Sequence, residues 1–289
     1  MRRFELAEPQ TLEEACSLLS DDDDAKPVAG GTALLTLIKQ GVFIPKTLVN
    51  LKKIPAASDI DYDAHRGLRI GALANIYDVE SSPLVRQYYP WLTEACHVVA
   101  NIRIRNMATI GGNLAHGDNQ SDPPTVLLAL DASVELMRRS GTRQVKLAEF
   151  LLGSYETALE HGELLSAVVV PPPDSWRGTY IKFTTGSSEE RPCAGVAALM
   201  RMEQGVCRDL RLVVGAVSSR PLRMHEAEEV ARDKEMTDAI LYEIGALSSR
   251  MVDPITDLRG PASYKRQLVG VLVRRALAGL IQKESPAWH

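Results

Sequence analysis

Along the first third of the chain, apolar positions recur with the periods of short helices and short buried strands. Leu12, Ala15, Cys16, Leu18 and Leu19 fall on one face of a 3.6-residue period, and Thr11 with Glu14 has capping-box spacing. A helix is therefore predicted from residue 12 to the acidic run Asp21-Asp22-Asp23-Asp24. Pro27-Val28-Ala29 reads as a short buried strand, and Leu34, Leu35, Leu37 and Ile38 as a helix ending at Gln40-Gly41. Thr47-Leu48-Val49-Asn50 and Leu68-Arg69-Ile70 read as further strands. Within 84–100 the spacing of Leu92, Ala95, Cys96, Val99 and Ala100 is helical, as is 125–130. Residues 133–137 alternate like a strand and pair across Gly141 with 144–147.

The run Pro171-Pro172-Pro173 can neither continue a helix nor donate to a ladder, so it marks a linker. Beyond it the order changes. Residues 180–183, 195–202 and 207–216 read as three strands, the last two joined through Gln204-Gly205 as a hairpin. Helices follow at 225–232, 237–251 and 263–281. Strands first and helices after indicate an α+β layer. Two domains result, 1–173 and 174–285, and 289 residues suffice for each to bury its own core.

Composition removes several classes. Hydrophobic residues at 45% and charged residues at 24% are ordinary globular usage. A net charge of −4 without a long basic run argues against nucleic-acid binding. No apolar stretch reaches membrane-spanning length, and Met1-Arg2-Arg3-Phe4-Glu5 turns acidic with no apolar signal core behind it, so a cytoplasmic protein is expected. Cys16, Cys96, Cys193 and Cys207 are too scattered for a metal or iron–sulfur site, and buried free thiols are the expectation.

The chemistry of the chain concentrates in two double-glycine motifs, Val28-Ala29-Gly30-Gly31-Thr32-Ala33 and Ala108-Thr109-Ile110-Gly111-Gly112-Asn113. Paired glycines let backbone N–H groups approach an anion, and a helix opening at Thr32 would add its positive end. Two such turns face to face suit a ligand with two linked phosphates, a dinucleotide such as FAD. The plainer alternative is a pair of tight turns requiring positive φ. Neither motif fits GxGxxG with an acidic residue downstream, so a Rossmann nicotinamide site is disfavoured.

Taken together, Ala29-Gly30-Gly31-Thr32, Ile104-Arg105-Asn106-Met107-Ala108-Thr109-Ile110-Gly111-Gly112-Asn113-Leu114 and Asp122-Pro123-Pro124 resemble the FAD-binding medium subunit of molybdenum hydroxylases, the flavoprotein subunits of carbon monoxide dehydrogenase and xanthine dehydrogenase. Asp253-Pro254, Asp257-Leu258-Arg259-Gly260 and Tyr264-Lys265-Arg266 continue the likeness to the carboxy-terminal flavoprotein domain. The resemblance implies a two-lobed FAD-binding domain of the vanillyl alcohol oxidase (PCMH) type, followed by a domain with a three-stranded antiparallel sheet and helices. It implies FAD contacts from Val28, Ala29, Gly30, Gly31, Thr32, Ala33, Thr109, Ile110, Gly111, Gly112, Asn113, Asp122, Leu165 and Lys182. Residues Ala29 to Thr32 and Thr109 to Asn113 would wrap the pyrophosphate through backbone donors, Asp122 would accept from an FAD hydroxyl, and Lys182 would stabilise charge on the reduced ring. Without the analogy, Asp122 is a helix cap or turn former, Lys182 a strand lysine facing water and His116, which could lie near the flavin, a plain surface or packing residue.

Partners implied by the family are a small subunit with two 2Fe-2S clusters and a large molybdopterin subunit, as a dimer of heterotrimers. The chain would carry electrons from the clusters to NAD, a quinone or oxygen, with no catalytic acid, base or nucleophile of its own. A self-contained flavin oxidase or reductase of the same fold and a non-catalytic nucleotide-binding module stand as alternatives. Gly31→Val and Gly111→Val are expected to remove FAD while leaving the fold largely intact.

Overall fold

The computed structural model describes residues 3–55 and 57–282, so Met1, Arg2 and the sequence-derived limit at 285 lie outside them. The chain divides into two compact units, Met1–Asp118 with Asp131–Pro172, and Asn119–Leu130 with Pro173–His289.

In the first unit a three-stranded parallel sheet is built from Glu5–Ala7, Ala25–Val28 and Thr47–Asn50, with Thr47–Asn50 in the centre. Parallel strands need a crossover: the helix Leu12–Asp21 carries the chain from one edge strand to the other, and the helix Leu34–Lys39 lies on the crossover from Ala25–Val28 to its neighbour Thr47–Asn50. Thr11 caps that helix by accepting from the Glu14 N–H at 3.1 Å, while Glu14 reaches back one residue beyond the box, to the Gln10 N–H at 2.7 Å. The apolar face of the helix packs Ala15, Cys16 and Leu19 against Val49, Leu51 and Leu164. A five-stranded antiparallel sheet completes the unit, in the order Ile60–Asp63, Gly67–Gly71, Leu164–Val170, Ser133–Arg138, Gly141–Lys146. Its central strand, Leu-Leu-Ser-Ala-Val-Val-Val, shows no alternation because almost all of it is buried. A period-2 pattern is therefore absent from its sequence.

The predicted helical stretch 84–100 is interrupted. Pro90 lacks an N–H, and the chain forms Pro83–Tyr88 and Pro90–His97 in succession, with Ile76–Ser81 ahead of them.

The second unit carries the three predicted strands, as Arg177–Phe183, Ala194–Glu203 and Val206–Gly215, antiparallel in that order. The intervening Gln204-Gly205 turn has φ of 50° and 82°, the left-handed pair of a type I′ hairpin. Two-residue strands at Leu222–Arg223 and Lys234–Glu235 extend the sheet. His225–Ala231, Asp238–Met251 and Ala262–Gln282 supply the helical layer over a core that includes Val196, Ala198, Leu212, Ile244, Leu272 and Val273.

One segment departs from the simple cut at the prolines. Residues 119–130, read from sequence as part of the first domain, belong to the second unit. The helix Pro123–Ala129 is buried along its whole length, and a Cβ on Gly215 would come 2.2 Å from Thr125 Oγ1, so glycine there lets helix and strand approach. Burying seven residues outweighs continuity along the chain.

Candidate functional site

The first double-glycine motif leaves the strand Ala25–Val28 and enters the helix Leu34–Lys39. Gly31 has φ of +72°, a conformation that side-chain-bearing residues rarely adopt. Gly30 has no such requirement; its need is space. A Cβ on Gly30 would sit 2.0 Å from the Met107 carbonyl oxygen and 2.8 Å from the Ala108 Cα. The turn therefore rests directly on the backbone that opens the second motif, and the two glycine motifs converge.

Thr32 does not open the helix. Ala33 occupies the cap position without a side-chain cap, and the first turn closes through the Leu35 N–H donating to the Gly31 carbonyl at 2.9 Å. The Thr32 carbonyl accepts from the Thr36 hydroxyl at 3.0 Å. Among the described residues, the backbone N–H groups of Gly30, Gly31, Thr32, Ala33 and Leu34 donate to no acceptor in the protein. A row of unpaired amides around a left-handed glycine has the geometry of a concavity that suits an anion. Unmet, each amide would carry a cost if closed off from water, so the arrangement suits an external acceptor.

The second motif is built differently from the turn read in the sequence. Gly111 and Gly112 lie inside a short helix, Ile110–His116, capped by Thr109. The amides from Ile110 to Asn113 already have acceptors: Ala74 O at 2.9 Å, Ala72 O at 2.9 Å, Thr109 Oγ1 at 3.1 Å and Thr109 O at 2.9 Å. Neither glycine has positive φ. Gly111 is required because a Cβ would meet Ala72 Cβ at 2.5 Å and Ala72 O at 2.7 Å. Of the backbone donors expected of both motifs, those of Gly30–Leu34 are left without a protein acceptor among the described residues, while those of Ile110–Asn113 are used within the fold. His116 ends this helix with its ring 5.1 Å from that of Tyr155, a packing contact, and Gly117 closes the helix at φ +64°.

Leu165 is buried in the central strand of the first unit, opposite Leu136, at a register shift before Ala167. Asp122 and Lys182 meet in the second unit. Asp122 stands at the start of the helix Pro123–Ala129 but makes no side-chain cap. Its Oδ2 accepts from Lys182 Nζ at 3.1 Å, and its Oδ1 accepts from the Tyr180 hydroxyl at 2.7 Å. The ion pair is buried, with side chains 6% and 5% exposed, so Lys182 does not face water. Burial first, and then the neighbouring Asp122 charge, push the Tyr180 phenol well above its ordinary value and keep it a donor. Tyr180 was not legible as a partner of Asp122; strand alternation placed it on the same face as Lys182, and nothing in sequence tied that face to residue 122. All four cysteines are buried free thiols, and burial pushes Cys16 and Cys207 up to about 11, so they are poor nucleophiles.

Residues 2–173 match the family described as the FAD binding domain in molybdopterin dehydrogenase, and residues 184–280 match the CO dehydrogenase flavoprotein C-terminal domain. The chain is similar to the glyceraldehyde dehydrogenase medium chain of Sulfolobus acidocaldarius, 30% identical with 94% of this chain and 96% of the relative covered. Its identity to the carbon monoxide dehydrogenase medium chain of Afipia carboxidovorans is 31%, covering 95% of each. Among solved structures, reconstituted CO dehydrogenase from Oligotropha carboxidovorans superposes with a TM-score of 0.94 at 30% identity, covering 98% of this chain and 99% of that one. Among the described residues no helix is long and apolar enough to cross a membrane.

Proposed function

This chain belongs to the family of FAD-binding medium subunits of the carbon monoxide and xanthine dehydrogenases, and on that premise we propose that it is the electron-transfer subunit of a molybdenum-containing hydroxylase. In this reading it takes electrons from the 2Fe-2S clusters of a small partner subunit and passes them to an acceptor such as NAD, a quinone or oxygen. A large molybdopterin subunit carries the substrate chemistry, the assembly is a dimer of heterotrimers, and its setting is the cytoplasm.

The observation that carries the proposal is the row of unpaired amides from Gly30 to Leu34, curved by the left-handed Gly31 and backed by Met107 and Ala108. Those donors would hold the diphosphate of FAD, with Val28 and Ala29 leading into the turn and Thr109, Ile110, Gly111, Gly112 and Asn113 supporting it. Bound FAD supplies the conversion between one-electron and two-electron transfer that such a junction needs. The protein's part is to bind and orient it, so no acid, base or nucleophile is assigned. Leu165, Asp122 and Lys182 are retained as flavin residues on the resemblance; the buried pairing of Lys182 with Asp122 fixes both side chains in place.

Reconstitution tests this. The flavin-loaded chain should turn over no organic substrate alone, and should be reduced on addition of a reduced 2Fe-2S partner subunit. Substrate-driven reduction of the flavin in the isolated chain would instead make it a self-contained oxidoreductase.

A further inference from the structure

Gly30 depends on where Met107 and Ala108 lie, so whatever fixes that ledge governs the dinucleotide turn. Ala108 is tied on two sides: its N–H donates to the Ile104 carbonyl at 2.7 Å, and its carbonyl accepts from the Ile76 N–H at 2.8 Å. The first bond continues the short helix Ile102–Arg105; the second reaches the start of the helix Ile76–Ser81. These same two helices meet again at an ion pair. Arg105 Nε lies 2.8 Å from Glu80 Oε2, with the side chains only 11% and 9% exposed.

A buried ion pair of this kind is costly unless each charge has other partners; Arg105 Nε and Glu80 Oε2 meet as charges without hydrogen-bond geometry, so the remaining atoms of each group supply the hydrogen bonds. Arg105 Nη1 donates to the Val99 carbonyl at 3.2 Å, just before Ala100, whose φ of +41° marks a sharp change of direction. Glu80 receives His97 Nδ1 at 2.8 Å on its other oxygen, and its own carbonyl accepts from Arg86 Nε at 3.0 Å. The helix Ile76–Ser81 is thus joined to the 102–108 segment at both of its ends, through Ile76 to Ala108 and through Glu80 to Arg105. Two attachment points fix an orientation that one would leave free to pivot.

We propose that Arg105, locked by Glu80, is the positioning residue for the dinucleotide turn: the pair sets the ledge of Met107 and Ala108 against which Gly30 seats, and so the direction of the Gly30–Leu34 amides. This rests on the reading of that turn as the FAD site. Only guanidinium can reach Glu80 and the Val99 carbonyl at once, because its donors are held in a fork.

The test is FAD binding to the full chain stripped of flavin, followed by quenching of flavin fluorescence, with melting temperatures measured in the absence and presence of FAD. Arg105→Met and Glu80→Gln should each raise the FAD Kd at least tenfold, and the double variant should be no worse than Arg105→Met. Arg105→Lys, which keeps the charge beside Glu80, should recover part of the affinity and serves as the deciding variant should Arg105→Met not fold. A contact that merely held the fold together would lower both melting temperatures equally, whereas a positioning contact lowers the FAD-loaded one more. A Kd within twofold of the parent in both single variants, with equal losses in melting temperature, would overturn the assignment. A parent chain that takes up no FAD would overturn the underlying reading instead.

Discussion

At the scale of single residues, adjacent identical side chains have unlike duties. Gly31 supplies a φ of +72°, whereas Gly30 supplies only the missing Cβ that brings the turn onto Met107. The sequence announced both glycines and could not say which requirement each met. Asp122 is a similar case: the helix-cap alternative fails because the carboxylate is committed to Tyr180 and Lys182. Tyr180→Phe should destabilise the second unit by about 1–3 kcal/mol, the cost of leaving a buried charged acceptor short of a donor. Denaturant unfolding of the full chain checks this, and an unchanged midpoint would show that the hydroxyl is dispensable.

At the scale of elements, the double-glycine helix Ile110–His116 changes an expectation drawn from sequence. Gly111→Val was expected to displace ligand and spare the fold, yet the volume a side chain would take is already filled by Ala72. The substitution should destabilise the chain even without FAD, by about 1–3 kcal/mol of overpacking or more, and so lower its melting temperature. A normal melting temperature in the flavin-free variant would contradict this.

Ladder and charge act together in the sheet of the same unit. Glu163, just ahead of the strand Leu164–Val170, accepts from Arg143 Nε and Nη2 at 2.8 Å each, and this bonding holds its carboxyl below the ordinary value of 4.5. Its folded value is lower than its unfolded one, so the stabilisation is complete above the unfolded value and is lost as pH falls through the folded value. Arg143→Gln should therefore narrow the stability gap between pH 6 and the acid range below about 4.5, read from urea unfolding at a series of pH values. A variant that tracks the parent at every pH would show that the pair contributes nothing.

Amphipathic elements were legible at this scale. The helix Leu12–Asp21, the hairpin of Ser133–Arg138 with Gly141–Lys146 and the three long strands of the second unit all declare themselves by period and turn chemistry. The central strand Leu164–Val170 and the short helices Ile76–Ser81 and Ile102–Arg105 did not, since a fully buried strand has no alternation and helices of four to six residues give too few turns to show a period.

At the scale of the whole molecule, the proline run marks a boundary that the chain crosses more than once, because the buried helix Pro123–Ala129 is donated to the second unit ahead of it. Local pattern carries no information about such a loan; it is decided by where seven apolar-facing residues find a surface. The candidate site shows the same division. Glycines and flanking residues of each motif could be read from the chain, while the seating of Gly30 on Met107 and the closing of Arg105 on Glu80 are long-range contacts that no spacing encodes.

The central claim is that backbone amides from Gly30 to Leu34 hold a flavin dinucleotide. Titrating FAD into the flavin-free full chain, and into its Gly30→Ala variant, tests it most directly. The account predicts one FAD per parent chain with quenched fluorescence, and a Kd at least tenfold weaker in the variant, whose new methyl would push the turn off the Met107 carbonyl. No uptake by the parent chain, or equal affinity in the two proteins, would contradict it.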